Sequence, residues 1–206
     1  MTATHAYQDD PRNADILICV NGEHKARADA VVSVFDSGFI LGDGVWEGLR
    51  LHNGKLAFLD QHMDRLYEGA KALDMDIGLT KAEMAARIYA VCQANSMNDG
   101  VHIRLMVTRG IKATPYQDPR VTIGSPTVVI IPEHKTALPE TASRPLKLFT
   151  THVRRGPADV QDPKLNSHSK LNCILACIQA AKAGADEGLM LDPHGFVATC
   201  NSVLFF

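Results

Sequence analysis

The chain has 206 residues, enough for one sizeable core or two small ones. Hydrophobic residues make up 46% and charged residues 21%, an ordinary globular balance, and a formal net charge of -2 with no basic stripe argues against a nucleic-acid partner. No apolar run approaches membrane-spanning length and residues 1–15 hold no apolar signal core, so a soluble, cytoplasmic protein with no membrane partner is expected.

Residues 1–14 read as a polar lead. Ile16 to Val20 is a short buried-type strand, and Asn21-Gly22 is a strong hairpin signal, so a return strand is expected near Glu23 to Ala28. Ala30 to Val34 reads as a further apolar segment leading into Phe35–Arg50, where Gly38, Gly42, Gly44 and Gly48 mark tight backbone turns. Leu51 to Phe58 is a hairpin around Asn53-Gly54. Leu59, Met63, Leu66, Ala70 and Leu73 then keep helical spacing, with Asp60 the expected N-cap. Thr80 caps a second helix from Lys81 to about Asn95. Val101 to Arg109 and Thr127 to Ile131 read as strands.

Pro132 to Pro145 is polar and proline-rich, which reads as a linker (133–145) between an N-terminal α+β domain (1–132) and a C-terminal domain (146–206). Lys147 to His152 opens that second domain as a strand. An amphipathic helix from Leu171 to Lys182 follows, and Gly184 suits the C′ position because it takes the left-handed conformation without a Cβ penalty. Gly188–Leu191, the turn Asp192-Pro-His-Gly195 and Phe196–Ala198 complete a hairpin. The five cysteines are odd in number and lack a Cys-x-x-Cys pair. Cys173 and Cys177 share a helix face, but a metal site needs two further ligands, so buried free thiols and no metal are expected.

Two blocks carry a family resemblance. Gly42-Asp-Gly-Val-Trp-Glu-Gly-Leu-Arg50 and Ala183-Gly-Ala-Asp-Glu-Gly-Leu-Met-Leu-Asp192 with Gly195-Phe-Val197 resemble the class IV (fold-type IV) pyridoxal-phosphate aminotransferases. That group includes branched-chain and D-amino-acid aminotransferases, (R)-amine transaminases and aminodeoxychorismate lyase. The resemblance implies a two-domain α+β fold with a small N-terminal domain and, since the family continues past Phe206, an incomplete C-terminal pseudo-barrel. It implies pyridoxal 5'-phosphate as cofactor, amino transfer between an amino acid and a 2-oxo acid, and a homodimer. His62-Met-Asp-Arg-Leu66 matches the motif whose arginine holds the cofactor phosphate, which carries over to Arg65. Trp46 and Arg50 fall at substrate-pocket positions, and the apolar Trp46 makes a branched-chain substrate the first expectation. Arg104 and Arg109 lie on a strand that approaches the pocket in the family, and neither is taken as a site residue.

The chemistry needs a lysine amine to condense with the aldehyde and shuttle a proton, a partner for the pyridine nitrogen, and donors for the phosphate. Counting back the family spacing from Gly184 lands on Asn166, which cannot perform the condensation. Lys170 and Lys164 flank it and remain the two candidates, Lys170 first. Thr199 stands where the family has a glutamate. Its hydroxyl can hydrogen-bond the ring nitrogen but supplies no carboxylate charge. Lyase or (R)-amine chemistry on the same fold, and a non-catalytic relative that binds a ligand or partner, are the alternatives left open.

Overall fold

A computed structural model describes residues 9–136 and 143–205. Two compact units emerge. One comprises 10–136 together with 165–169, and the other, among the described residues, comprises Asp9, 143–164 and 170–205. Residues 137–142 of the expected 133–145 linker lie outside the described residues.

The first unit is built on strands β1 (Leu17–Val20), β2 (Glu23–Ala26), β3 (Gly44–His52), β4 (Lys55–Leu56) and β5 (Val101–Thr108), with β6 (Ile111–Lys112), β7 (Thr122–Ile123) and β8 (Thr127–His134) following. Six of them form one sheet in the order β2-β1-β8-β5-β3-β4, and every neighbouring pair is antiparallel. Both Asn-Gly turns take positive φ at both residues (53° and 92° at 21–22, 47° and 73° at 53–54), the backbone a tight hairpin requires. Alternation sets the faces. Val101, Ile103, Leu105 and Val107 of β5 are fully buried while His102, Arg104 and Met106 point the other way.

Helices α1 (Ser37–Leu41), α2 (Leu59–Ala72) and α3 (Lys81–Ala94) complete this unit. Met63, Leu66 and Ala70 of α2 and Met84, Ile88 and Val91 of α3 close the core over the buried sheet face. Thr80 caps α3 as the sequence predicts, and the structure adds a reciprocal capping box with Glu83. At α2 the expectation is corrected. Phe58, in a left-handed conformation at φ 52°, holds the N-cap position without a side-chain bond, and Asp60 sits inside the first turn. Residues 30–34 form no strand among the described elements, and Val31 and Val34 are exposed. Their apolar side chains have no sheet face to bury against.

In the second unit β9 (Leu148–Thr150) runs parallel to β10 (Glu187–Leu191), and α4 (Leu171–Lys182) lies between them in sequence. β11 (Val197–Cys200) pairs antiparallel with β10. Gly184, at φ 66°, ends α4 as the sequence predicts. At Gly188 a Cβ would stand 2.9 Å from both the Ala176 carbonyl oxygen and Thr151 Cγ2, so only glycine lets α4 approach β10 this closely. Arg144 grips Asp186 through two bonds of 2.7 and 2.9 Å, and this contact holds the Asp186 carboxyl far below the usual carboxylate range.

Cys19, Cys92 and Cys200 are buried free thiols, but Cys177 is exposed and Cys173 half-buried, because α4 buries the face carrying Ala176 and Ala180 instead. Among the described residues no helix is long and apolar enough to cross a membrane, and no cluster of three metal-ligating side chains occurs.

Candidate active site

A buried polar cluster of the first unit sits where β3 meets α2. Glu47 belongs to the β3 alternation that puts Val45, Leu49 and Leu51 in the core, and its side chain is 0% exposed. A carboxylate so deeply desolvated needs partners, and α2 supplies them from one face, three residues apart. Arg65 Nε donates to Glu47 Oε1 at 2.7 Å and Arg65 Nη2 to Oε2 at 2.6 Å, a two-point fork. His62 Nδ1 lies 2.7 Å from Oε2. Since a carboxylate only accepts, Nδ1 carries the proton. The bond to Glu47 raises the Arg65 pKa above its ordinary value, so the guanidinium is charged throughout. Its side chain is 52% exposed. The inner edge of the guanidinium is therefore fixed while its outer edge remains open.

Trp46 precedes Glu47 and points to the opposite face of the sheet. The Arg104 guanidinium stacks over its ring, 4.0 Å from the centroid, and burial pushes the Arg104 pKa below its ordinary value. The outer edge of β3 is covered by residues 165–169. Trp46 N donates to the Asn166 carbonyl at 2.9 Å, the Asn166 side chain donates back to the Trp46 carbonyl at 2.8 Å, and Trp46 Nε1 donates to the Ser167 carbonyl at 3.0 Å. His168 N donates to Gly44 O at 3.0 Å. Burial pushes His168 below its ordinary pKa, which leaves a neutral ring whose Nε2 lies 3.1 Å from the Val45 carbonyl. The residue at the family's lysine register, Asn166, is thus a clamp on Trp46. Arg50, the other expected pocket residue, is exposed and donates to the Lys135 carbonyl.

The remaining expected residues belong to the second unit. Lys170 is half-buried at the N-cap of α4, where its carbonyl accepts the bond from Ile174 N at 3.0 Å. Lys164 is exposed, its backbone N–H bonded to Asp162 Oδ1 at 2.9 Å. Thr199 lies on β11, half-buried, and gives its hydroxyl proton to the Val203 carbonyl at 3.3 Å.

Within the first unit the fold brings Arg65 together with Glu47 and His62, and Trp46 with Arg104 and the 165–169 segment. Sequence reasoning picked out Arg65 and Trp46 but missed Glu47, His62 and Arg104 as their partners. A signal was present for the first pair: a glutamate on the core side of an alternating strand demands a cation, and His62 and Arg65 share a helix face.

The stretch 44–205 matches the family model for amino-transferase class IV, and the chain belongs to that family. It is similar to a putative branched-chain-amino-acid aminotransferase of Methanocaldococcus jannaschii, 43% identical over 87% of this chain and 61% of the relative. It is also similar to the aminodeoxychorismate lyase of Bacillus subtilis, 30% identical over 88% of this chain and 61% of the relative. Among solved structures, the T.th. branched-chain amino acid aminotransferase complexed with N-(5'-phosphopyridoxyl)-L-glutamate superimposes with a TM-score of 0.81 at 28% identity. That superposition covers 91% of this chain and 62% of the other. The chain therefore spans about three-fifths of the length of these relatives.

Proposed function

We propose that the chain carries the site of a pyridoxal-phosphate-dependent aminotransferase that moves an amino group between an amino acid and a 2-oxo acid. The Arg65 guanidinium, locked on one edge by buried Glu47 and open on the other, carries this reading, because a fixed, permanently charged fork suits a phosphate ester. Family membership supports it, as does the likeness to the T.th. enzyme with its phosphopyridoxyl ligand.

When bound, the cofactor supplies an electron sink for the pair released as the substrate's C–H bond breaks. Arg65, whose Nε and one Nη2 hydrogen are engaged by Glu47, would hold the phosphate with its remaining donors. Lys170 is the first choice for the amine that condenses with the aldehyde and carries the proton on Nζ, and Lys164 is the second. The Thr199 hydroxyl, its proton given to Val203, is left as an acceptor, a partner for a ring nitrogen that is itself protonated. Trp46 presents an apolar ring whose far side is occupied by Arg104, and this supports a branched-chain amino acid as donor, with Arg50 further along the same strand face. The exposed apolar side chains of Val31, Val34, Phe35 and Phe39, continued by Ile111 and Ile123 on the adjoining β6–β7 ribbon, support a homodimer. Sedimentation that finds only monomer at all concentrations would remove the homodimer.

Borohydride reduction in the presence of pyridoxal phosphate, followed by peptide mass mapping, tests the enzyme reading. A phosphopyridoxyl group on Lys170 or Lys164 is expected. Modification scattered over surface lysines would leave a ligand-binding relative without the chemistry. The similarity to the lyase keeps a second reaction on this site. Turnover that needs no 2-oxo acid acceptor would establish it.

A further inference from the structure

We infer that Glu47 is a positioning residue for phosphate recognition: it acts through Arg65, fixing the guanidinium so that its open edge faces the anion. This rests on the reading of Arg65 as the phosphate donor.

A carboxylate beside an anion site is, on charge alone, a liability. It cancels the charge of Arg65 and repels a phosphate dianion. Glu47 nevertheless sits wholly inside the core at the centre of β3, where an apolar residue like its neighbours Val45 and Leu49 would pack without desolvation cost. Geometry explains its presence. A long arginine on a helix surface has many rotamers, and ordering one on ligand binding costs side-chain entropy. The two bonds of 2.6 and 2.7 Å from Arg65 to Glu47 remove that freedom in advance and set the plane of the guanidinium. The His62 bond at 2.7 Å does the same for the carboxylate, which otherwise could rotate about its last torsion. Strand β3, paired with β5 from Gly44 to Leu51, thus transmits its position to an exposed helix side chain.

Charge and positioning predict opposite signs for one substitution. Glu47→Gln removes a negative charge next to the anion, so a purely electrostatic neighbour would strengthen phosphate binding on replacement. A positioning residue would weaken it, because a glutamine oxygen can accept from Nε but its amide opposes Nη2.

The full chain is titrated with pyridoxal 5'-phosphate, pyridoxal and inorganic phosphate. The ratio of the two aldehyde affinities isolates the phosphate contribution from lysine chemistry and from general damage to the fold. Glu47→Gln is expected to lower that ratio, and the affinity for inorganic phosphate, about tenfold. Arg65→Lys, which keeps the charge but cannot make the fork, is expected to fall by a similar amount. Arg65→Ala is expected to lose more, and Glu47→Gln added to Arg65→Ala to change nothing further. The Arg65 Nε–Hε resonance, sharp in the parent, should broaden in Glu47→Gln even if that variant is less stable. An unchanged or higher ratio in Glu47→Gln alongside a clear loss in Arg65→Ala overturns the role of Glu47 alone. If Arg65→Ala itself leaves the ratio intact, the assignment of Arg65 to the phosphate falls, and the role of Glu47 falls with it.

Discussion

Asn166→Ala offers a direct test of how Trp46 is held. The Asn166 amide donates to the Trp46 carbonyl at 2.8 Å, while the Asn166 carbonyl accepts from Trp46 N at 2.9 Å. The substitution deletes the first bond and leaves the second possible, so the loss is that of one partly buried bond, about 0.5–1.5 kcal/mol. If residues 165–169 detach locally without unfolding the sheet, that energy raises the open population by about 2- to 13-fold. Hydrogen exchange at the Trp46 amide reads this factor directly. The chain has one tryptophan, so its emission and quenching report the same opening without interference. Exchange at Trp46 should accelerate while the amides of Ile103 and Leu105 in the centre of β5 keep their parent rates. Parent-like exchange and quenching at Trp46 would refute the clamp. Acceleration at all three amides would mean that the segment supports the whole sheet.

Three further outcomes are expected. Leu49→Ala, at a site with 0% exposure in the middle of β3, should cost about 2–5 kcal/mol in urea unfolding, and a loss under about 1 kcal/mol would contradict the tight core. Gly188→Ala should destabilise the second unit by about 1–3 kcal/mol, read as earlier loss of protection in β10, because the Ala176 carbonyl at 2.9 Å belongs to helix backbone and cannot yield. The Asp118 carboxyl is lowered from 3.8 to about 2 by bonds from the Arg120 side chain and backbone. A depressed value stabilises the 118–120 turn above the ordinary carboxylate pKa, and this support is lost as pH falls from about 4 towards 2. A carbon-13 titration of Asp118 should show the low midpoint, and Arg120→Ala should return it towards 3.8, whereas a midpoint that stays low would assign the shift elsewhere.

Local rules made much of the fold legible. The Asn-Gly turns, the Thr80 cap, the alternation of β5 and the glycine after α4 each rest on neighbours within a few residues, and each is present as expected. The Asp60 cap was not borne out, and the apolar 30–34 segment joined no strand, for a shared reason. Propensity describes what a residue can do, whereas the turn geometry at Phe58 and the lack of a sheet face near Val31 decided what it does. The candidate site was less legible. Arg65 and Trp46 stood out only through the family pattern, and their partners Glu47 and Arg104 are set by pairings across α2 and β5 that no local window contains. Asn166 was least legible of all. Its position suggested a missing lysine, but its contacts lie 120 residues back in the chain.

The placement of residues 165–169 in the first unit has a consequence for synthesis. Strands β1 to β8 have all been synthesised once His134 is made, yet the outer edge of Gly44–Trp46 still lacks its partner. Translation at about 5–20 residues per second leaves that edge uncovered for a few seconds, with open backbone donors and acceptors on a strand rich in apolar side chains. The nascent chain is therefore most vulnerable to mispairing after its first sheet has formed and before its last stitch arrives. Slowing elongation after β8 has emerged from the ribosome and before residues 165–169 emerge should raise aggregation more than slowing it after they have emerged.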